Sequence, residues 1–199
     1  MRITLVDRRN HHLFQALLYQ VASAALAPSI ALPIRRIMRG SRRISVILGE
    51  ARSIDVTGKK VVMRDAELEY DYLIVAAGAT HSYFGHNNWA EAAPGLKTLE
   101  DATEIRRRVL VAYEAVERAD DLEAQRRWLT FVIVGGARTG VELAGALAEI
   151  SHRVLSRDFS RIRSQRARIV LVKAASRVLP SMSEEYGTPS GNSSASVRN

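Results

Sequence analysis

The chain has 199 residues, 47% of them apolar, and carries 29 Lys and Arg against 21 Asp and Glu for a formal charge of +8. That apolar share can bury a core, which excludes a wholly disordered chain, and the length allows one domain or two small ones. There is no cysteine, which removes disulfides, thiolate nucleophiles, zinc fingers and iron–sulfur ligation, so any redox chemistry must come from an organic cofactor.

Ile3-Thr4-Leu5-Val6 is an apolar run ending in Asp7 and reads as an internal strand lacking its predecessor. A polar turn over 8–12 leads into an apolar segment over 13–27, and Pro28 and Pro33 punctuate the approach to a short helix ending near Gly40. Residues 44–49, 51–56 and 60–63 read as short strands of a small antiparallel meander, the last two joined through Thr57-Gly58. Residues 70–78 read as a buried strand running into a tight glycine turn, and 100–119 has helical periodicity with acids near its start. Beyond a charged connection through Asp120, Asp121 and Glu123 comes one β-α-β unit. It comprises a strand over 129–134, a glycine turn, a helix from Thr139 to about Leu155, a basic loop and a strand over 167–172. From Pro180 onward there are six serines and little to bury, the composition of a disordered tail.

The charge is uneven. Residues 1–43 hold eight Arg against Asp7, and 153–177 hold eight Lys or Arg against Asp158, while 44–152 is net acidic. Two such segments suit phosphate-bearing ligands, anionic lipid or nucleic acid; a solvated surface in an Arg-rich protein explains them equally well. No basic patch is interleaved with aromatics in the manner that stacks single-stranded bases, so nucleic acid is not an expected partner. No stretch approaches the ~18 to 20 consecutive apolar residues that span a bilayer, and the first residues lack a signal-peptide core. A soluble, cytoplasmic product is the expectation.

The richest segment is 131–145, Phe-Val-Ile-Val-Gly-Gly-Ala-Arg-Thr-Gly-Val-Glu-Leu-Ala-Gly. A strand runs through a glycine turn, Gly135 and Gly136, into a helix whose first N–H groups can bind a pyrophosphate. A glycine turn that merely packs helix on strand has the same outline. The second glycine of G-x-G-x-x-G is replaced by Ala137, whose methyl group stands where backbone normally approaches the pyrophosphate. The following strand ends in Lys173 where an acid usually accepts from the adenosine ribose; a lysine can only donate and suits a 2′-phosphate, unless the site has decayed. By the same logic Asp7 reads as the ribose acid of a second nucleotide unit, with a surface turn residue as the plainer reading. Glu142 falls in the first turn of the helix, where the dipole stabilises any carboxylate; its functional reading is a place beside the nicotinamide or a second substrate. His11, His12, His81 and His86 show no metal spacing, and Ser23, Ser82 and Ser151 lack a nucleophile-elbow context, so neither a metal nor a hydrolytic site is expected.

Several blocks resemble the bacterial type II NADH dehydrogenases in order along residues 2–182. They are Val6-Asp7-Arg8-Arg9-Asn10-His11-His12-Leu13-Phe14-Gln15, Leu17 to Ala22, Ala76-Ala77-Gly78-Ala79-Thr80-His81-Ser82-Tyr83-Phe84-Gly85, Pro94 to Ala102, and Thr139-Gly140-Val141-Glu142-Leu143-Ala144-Gly145. The resemblance implies an α/β flavoprotein of the two-dinucleotide-domain, Rossmann-like type, passing a hydride from NADH to FAD and electrons to a membrane quinone. It implies that Asp7 and Arg8 meet the FAD adenosine, Ala51 its adenine through backbone, and Ala77-Gly78 the turn beside FAD. Gly135, Gly136, Ala137, Thr139 and Gly140 would cradle NADH, or NADPH given Lys173, and Glu142 would stand between the nicotinamide and quinone sites. Ala137 and Arg138 replace the Gly-Pro expected there, and Lys173 replaces an expected Glu.

Both dinucleotide domains are expected to be incomplete: an FAD domain over 1–122 without its first strand and glycine turn, a nicotinamide domain over 123–180, and the tail over 181–199. The chain then resembles an internal piece of a peripheral enzyme on the cytoplasmic face of the membrane, with self-association left open. A catalytically inactive nucleotide-binding or interaction fragment is the alternative.

Overall fold

The structure, a computed structural model, describes residues 1–153, 155–159, 167–173 and 195–198. The elements in chain order are β1 (Ile3–Asp7), β2 (His11–Leu13), α1 (Leu18–Ala22), β3 (Ala31–Pro33), α2 (Ile34–Ile37), β4 (Ile44–Leu48), β5 (Ala51–Asp55), β6 (Lys60–Met63) and β7 (Glu67–Glu69). After a short 3-10 turn at Asn87–Ala90 come α3 (Leu99–Arg118), α4 (Leu122–Trp128), β8 (Thr130–Val134), α5 (Arg138–Arg153), α6 (Leu155–Asp158), β9 (Arg168–Val172) and β10 (Ala195–Arg198). The chain divides into two units, one of Met1–Phe14 with Ser29–His81 and one of Gln15–Pro28 with Ser82–Asn199. By packing, residues 15–28 and 82–122 belong with the second unit.

In the first unit the apolar residues of β1 are matched by β4, which runs parallel to it with Ile3 opposite Ile44 and Asp7 opposite Leu48. That pairing departs from the expected meander of 44–63. The antiparallel meander is β5-β6-β7 instead, and its third strand, Glu-Leu-Glu, carries no apolar run to announce it. A lysine opposite supplies the compensation: Lys60 Nζ lies 3.1 Å from Glu67 Oε2 across β6 and β7. The 55–60 turn is closed by Gly58 N–H donating to Asp55 Oδ1 at 2.8 Å, and any Cβ at Gly58 would strike that carboxylate. Residues 70–78 also depart from expectation. They form no strand, and Tyr72 and Ile74 are 92% and 89% exposed. An apolar β-branched run only fits a sheet; it becomes a strand when a neighbour satisfies its N–H and C=O groups, and no ladder partner exists for it among the described residues.

In the second unit β8 and β9 pair in parallel from Thr130 opposite Arg168 to Val134 opposite Val172, and α5 packs on both. Helix α3 begins with a capping box: Asp101 N–H donates to Thr98 Oγ1 at 3.1 Å and Thr98 N–H to Asp101 Oδ2 at 2.9 Å. The charged connection at 120–123 is in fact the start of α4, which Asp121 caps by accepting from Ala124 N–H at 2.8 Å. Four residues of the expected tail, Ala195–Arg198, form β10 and pair in parallel with β9. Backbone ladders require only a free strand edge and no apolar side chain, which is why composition gave no sign of it. The rest of 181–199 lies outside the described residues.

The centre of this unit is Tyr113 of α3, fully buried with Leu18, Val21 and Ala22 of α1 and Val116 of α3. Its ring stacks on Phe131 of β8 at 6.1 Å and tilts against Phe159 at 5.6 Å. Its hydroxyl donates to Ser151 Oγ at 2.7 Å, and Ser151 donates in turn to the Leu147 carbonyl at 2.6 Å. Burial pushes the Tyr113 pKa up, with the Ser151 hydrogen bond working against it, so the phenol stays neutral and donating. Ser151→Ala orphans a buried hydroxyl and should cost about 1 to 3 kcal/mol, whereas Tyr113→Phe leaves Ser151 donating to Leu147 and should cost about 1 kcal/mol. Denaturant unfolding of both single variants and the double variant checks this; the double should cost less than the sum.

Candidate functional site

The end of β8 opens a turn whose glycines answer to different causes. Gly135 sits at φ +125°, open to glycine and strained for any other residue, and its N–H donates to the Val172 carbonyl of β9 at 2.8 Å. Gly140, in the first turn of α5, is required by approach: a Cβ there would collide with the Gly135 carbonyl oxygen. Gly136 is packed from one side, since a Cβ would lie 3.0 Å from Lys173 Cβ and 3.2 Å from Cδ. The Lys173 stem thus lies along the turn, and the residue is only 9% exposed. Ala137 needs no left-handed backbone; the non-glycine residues with positive φ among those described are Ala24, Lys59 and Phe84. Its carbonyl accepts the Val141 N–H at 3.2 Å, so α5 starts normally.

The turn therefore brings Gly135, Gly136, Ala137, Thr139, Gly140, Glu142 and Lys173 together at the carboxyl end of two parallel strands. That end is the ligand position of open α/β sheets. A strand, a glycine-rich turn and the N-terminus of a closely approaching helix form the general geometry in which backbone N–H groups can face an anion. Glu142 is held by Arg138, whose Nε donates to Oε1 at 2.9 Å. This pair escaped the sequence reading, although its i,i+4 spacing on the helix was the available signal.

The residues singled out for FAD lie in the first unit. Asp7 ends β1; its Oδ1 accepts the Arg9 N–H at 2.8 Å and its carbonyl accepts the Gly49 N–H at 2.9 Å. Ala51 opens β5 three residues past Leu48, the register partner of Asp7, so Asp7, Arg8 and Ala51 share one end of the β1–β4 pair. The Asp7 side chain is half-buried there. Ala77 and Gly78 lie on exposed chain, with Gly78 at φ +72°.

The family model for pyridine nucleotide-disulphide oxidoreductases matches residues 1–189. The chain belongs to that family. Within it, the chain is 45% identical over 190 residues to a type II NADH:quinone oxidoreductase of Mycobacterium tuberculosis, covering 93% of this chain and 41% of the relative. It is 44% identical to a second such oxidoreductase of that organism, covering 40% of it. The fold also matches an NDH2 of Plasmodium falciparum solved in complex with NADH, with a TM-score of 0.83 at 23% identity over 94% of this chain and 39% of that one. The resemblance to type II NADH dehydrogenases thus holds, as does the Rossmann-like flavoprotein fold, over a chain that spans about two fifths of these relatives.

The two glycines of the family's turn should respond differently to a methyl group. Gly140→Ala meets backbone that cannot yield and should cost about 3 kcal/mol or more, while Gly136→Ala displaces part of a lysine stem and should cost about 1 kcal/mol. Thermal unfolding of the two variants measures the difference; equal costs would contradict the stated approach of α5 to β8.

Proposed function

We propose that this chain forms the flavin- and nicotinamide-binding part of an NADH:quinone oxidoreductase, with flavin determinants in 1–122 and nicotinamide determinants in 123–180. The observation that carries the reading is the β8–turn–α5 arrangement, in which the Gly135 carbonyl forbids a side chain at residue 140. Asp7, Arg8, Ala51 and Ala77-Gly78 would hold FAD, and Gly135, Gly136, Ala137, Thr139 and Gly140 would hold the nicotinamide dinucleotide. FAD when bound supplies two-electron acceptance from a nicotinamide and delivery to a quinone. The chain's own contribution is orientation and charge: N–H groups at the start of α5 for a pyrophosphate, a carboxylate at the end of β1 for a ribose, and Glu142 beside the reacting ring. Quinones are dissolved in membranes, so the working protein would sit on a membrane surface, on its cytoplasmic face. Among the described residues no helix is long and apolar enough to cross one.

A second reading, a nucleotide-binding segment without turnover, is favoured by the exposed apolar run at 72–75 and by the Ala137 methyl beside the pyrophosphate position. Both readings share the nucleotide site, and Lys173 sets its preference. A buried cation at the end of β9, its stem along Gly136, favours a ribose 2′-phosphate over a hydroxyl. Calorimetric titration should find NADPH bound about tenfold more tightly than NADH, with the gap closing as salt rises. Lys173→Gln should abolish the gap. Tighter NADH binding by the unmodified chain would overturn the role given to Lys173.

A further inference from the structure

We propose that Arg138 exchanges partners when a nucleotide binds: its guanidinium leaves the Glu142 carboxylate for a phosphate of the ligand, and Glu142 is thereby released. The inference rests on the nucleotide site proposed above and adds to it a device that couples that site to Glu142.

The starting arrangement is electrostatically poor for Arg138. It is the first residue of α5, where the unsatisfied N–H groups of the helix end carry partial positive charge and disfavour a cation. Its compensation is the Glu142 pair, in which the base precedes the acid by four residues, the less favourable order on a helix. The Arg138 side chain is 74% exposed and that of Glu142 29%, so water and salt screen the pair. One bond, from Nε, joins them. The Glu142 hydrogen bond raises the Arg138 pKa, and the guanidinium is charged throughout the accessible pH range.

An anion at the start of α5 reverses each of these terms. It supplies the negative charge that the helix end lacks, and a phosphate offers two oxygens to the planar fork where Glu142 engages one nitrogen. The exposed arginine can turn toward it without disturbing the core. Glu142 is left on the first turns of α5 without its cation, available to a donor on a second ligand. Arg138 is therefore a positioning residue for Glu142. By reciprocity, whatever neutralises Glu142 must tighten anion binding, and must do so through Arg138.

A double-variant cycle titrated calorimetrically with NADH at fixed ionic strength tests this, using the unmodified chain, Arg138→Gln, Glu142→Gln and the double variant. The Arg138 side chain is exposed and that of Glu142 half-buried, and far-UV circular dichroism confirms that the variants fold. Arg138→Gln should weaken NADH about tenfold. Glu142→Gln should tighten it about twofold to fivefold, and in the Arg138→Gln background that gain should shrink to less than about 1.5-fold. Arg138→Lys, which keeps the charge and loses the fork, should fall between. An equal gain from Glu142→Gln in both backgrounds would show that the carboxylate acts by simple repulsion and would overturn the exchange while leaving the site intact. Binding of NADH by none of the four proteins would overturn the nucleotide site, and the exchange with it.

Discussion

Helix α5 can begin where it does only because residue 140 has no side chain. The Gly135 carbonyl occupies the space a Cβ would need, so strand and helix are brought together at a distance that fixes the direction in which α5 leaves the sheet. Much of the second unit depends on that direction. It aims the first N–H groups of α5 across the turn, places Arg138 and Glu142 on its rim, and about three turns later delivers Ser151 to the buried Tyr113 hydroxyl. The glycine-turn end and the packed end of the helix are thus one constraint seen from two sides. A shift at the glycine turn would be felt in the core as an unmade hydrogen bond, where leaving a polar group unpaired is most costly.

Charge follows the same geometry. A helix N-terminus already favours anions, and the chain adds a lysine buried along the turn and an arginine at the first helical position. Glu142 is the only acid within the first turns of α5, and it is tied to Arg138 rather than left facing the turn. The local field is therefore positive for a reason independent of the net charge of +8. Most of the arginines that produce that net charge lie in 1–43 and 153–177, away from the glycine turn in sequence, and need only solvation to account for them.

Legibility in the sequence tracked how local the determining physics was. The β8–turn–α5 unit was readable because its strand, its glycines and its helical period are contiguous, and α3 was readable from its period and the acids near its start, though its cap on Thr98 was not. Helix α4 was missed because Asp120, Asp121 and Glu123 read as a polar connection; the decisive feature is that Asp121 folds back onto the Ala124 N–H, which polarity alone does not reveal. The pairing of Ile44–Leu48 with Ile3–Asp7 was missed because parallel partners are distant in sequence, while an antiparallel neighbour always looks the more economical assignment. Residues 70–78 show the converse error, since their composition is strand-like but they have no ladder partner among the described residues. Among the site residues, Arg138 was noted as a departure from the family's pattern, but its bond to Glu142 became visible only once α5 had a fixed start.

Ala137 separates two things that a glycine fingerprint usually combines. Gly135 is demanded by its backbone angle and Gly140 by its neighbour, so both belong to the fold and would be retained whether or not a nucleotide ever binds. The residue between them is demanded by neither, because Ala137 sits in ordinary backbone and hands its carbonyl to the helix as any residue would. A glycine at that place answers only to the ligand. Its replacement therefore leaves the architecture unaltered and changes only how closely a pyrophosphate can lie against the chain. A methyl group in that path can be relieved by a small displacement of the ligand, and the cations flanking the turn attract an anion over a longer range than van der Waals contact reaches. On the proposed reading of this turn as a pyrophosphate site, close backbone approach gives way to charge, which favours weaker contact, stronger salt dependence and the more highly phosphorylated nucleotide.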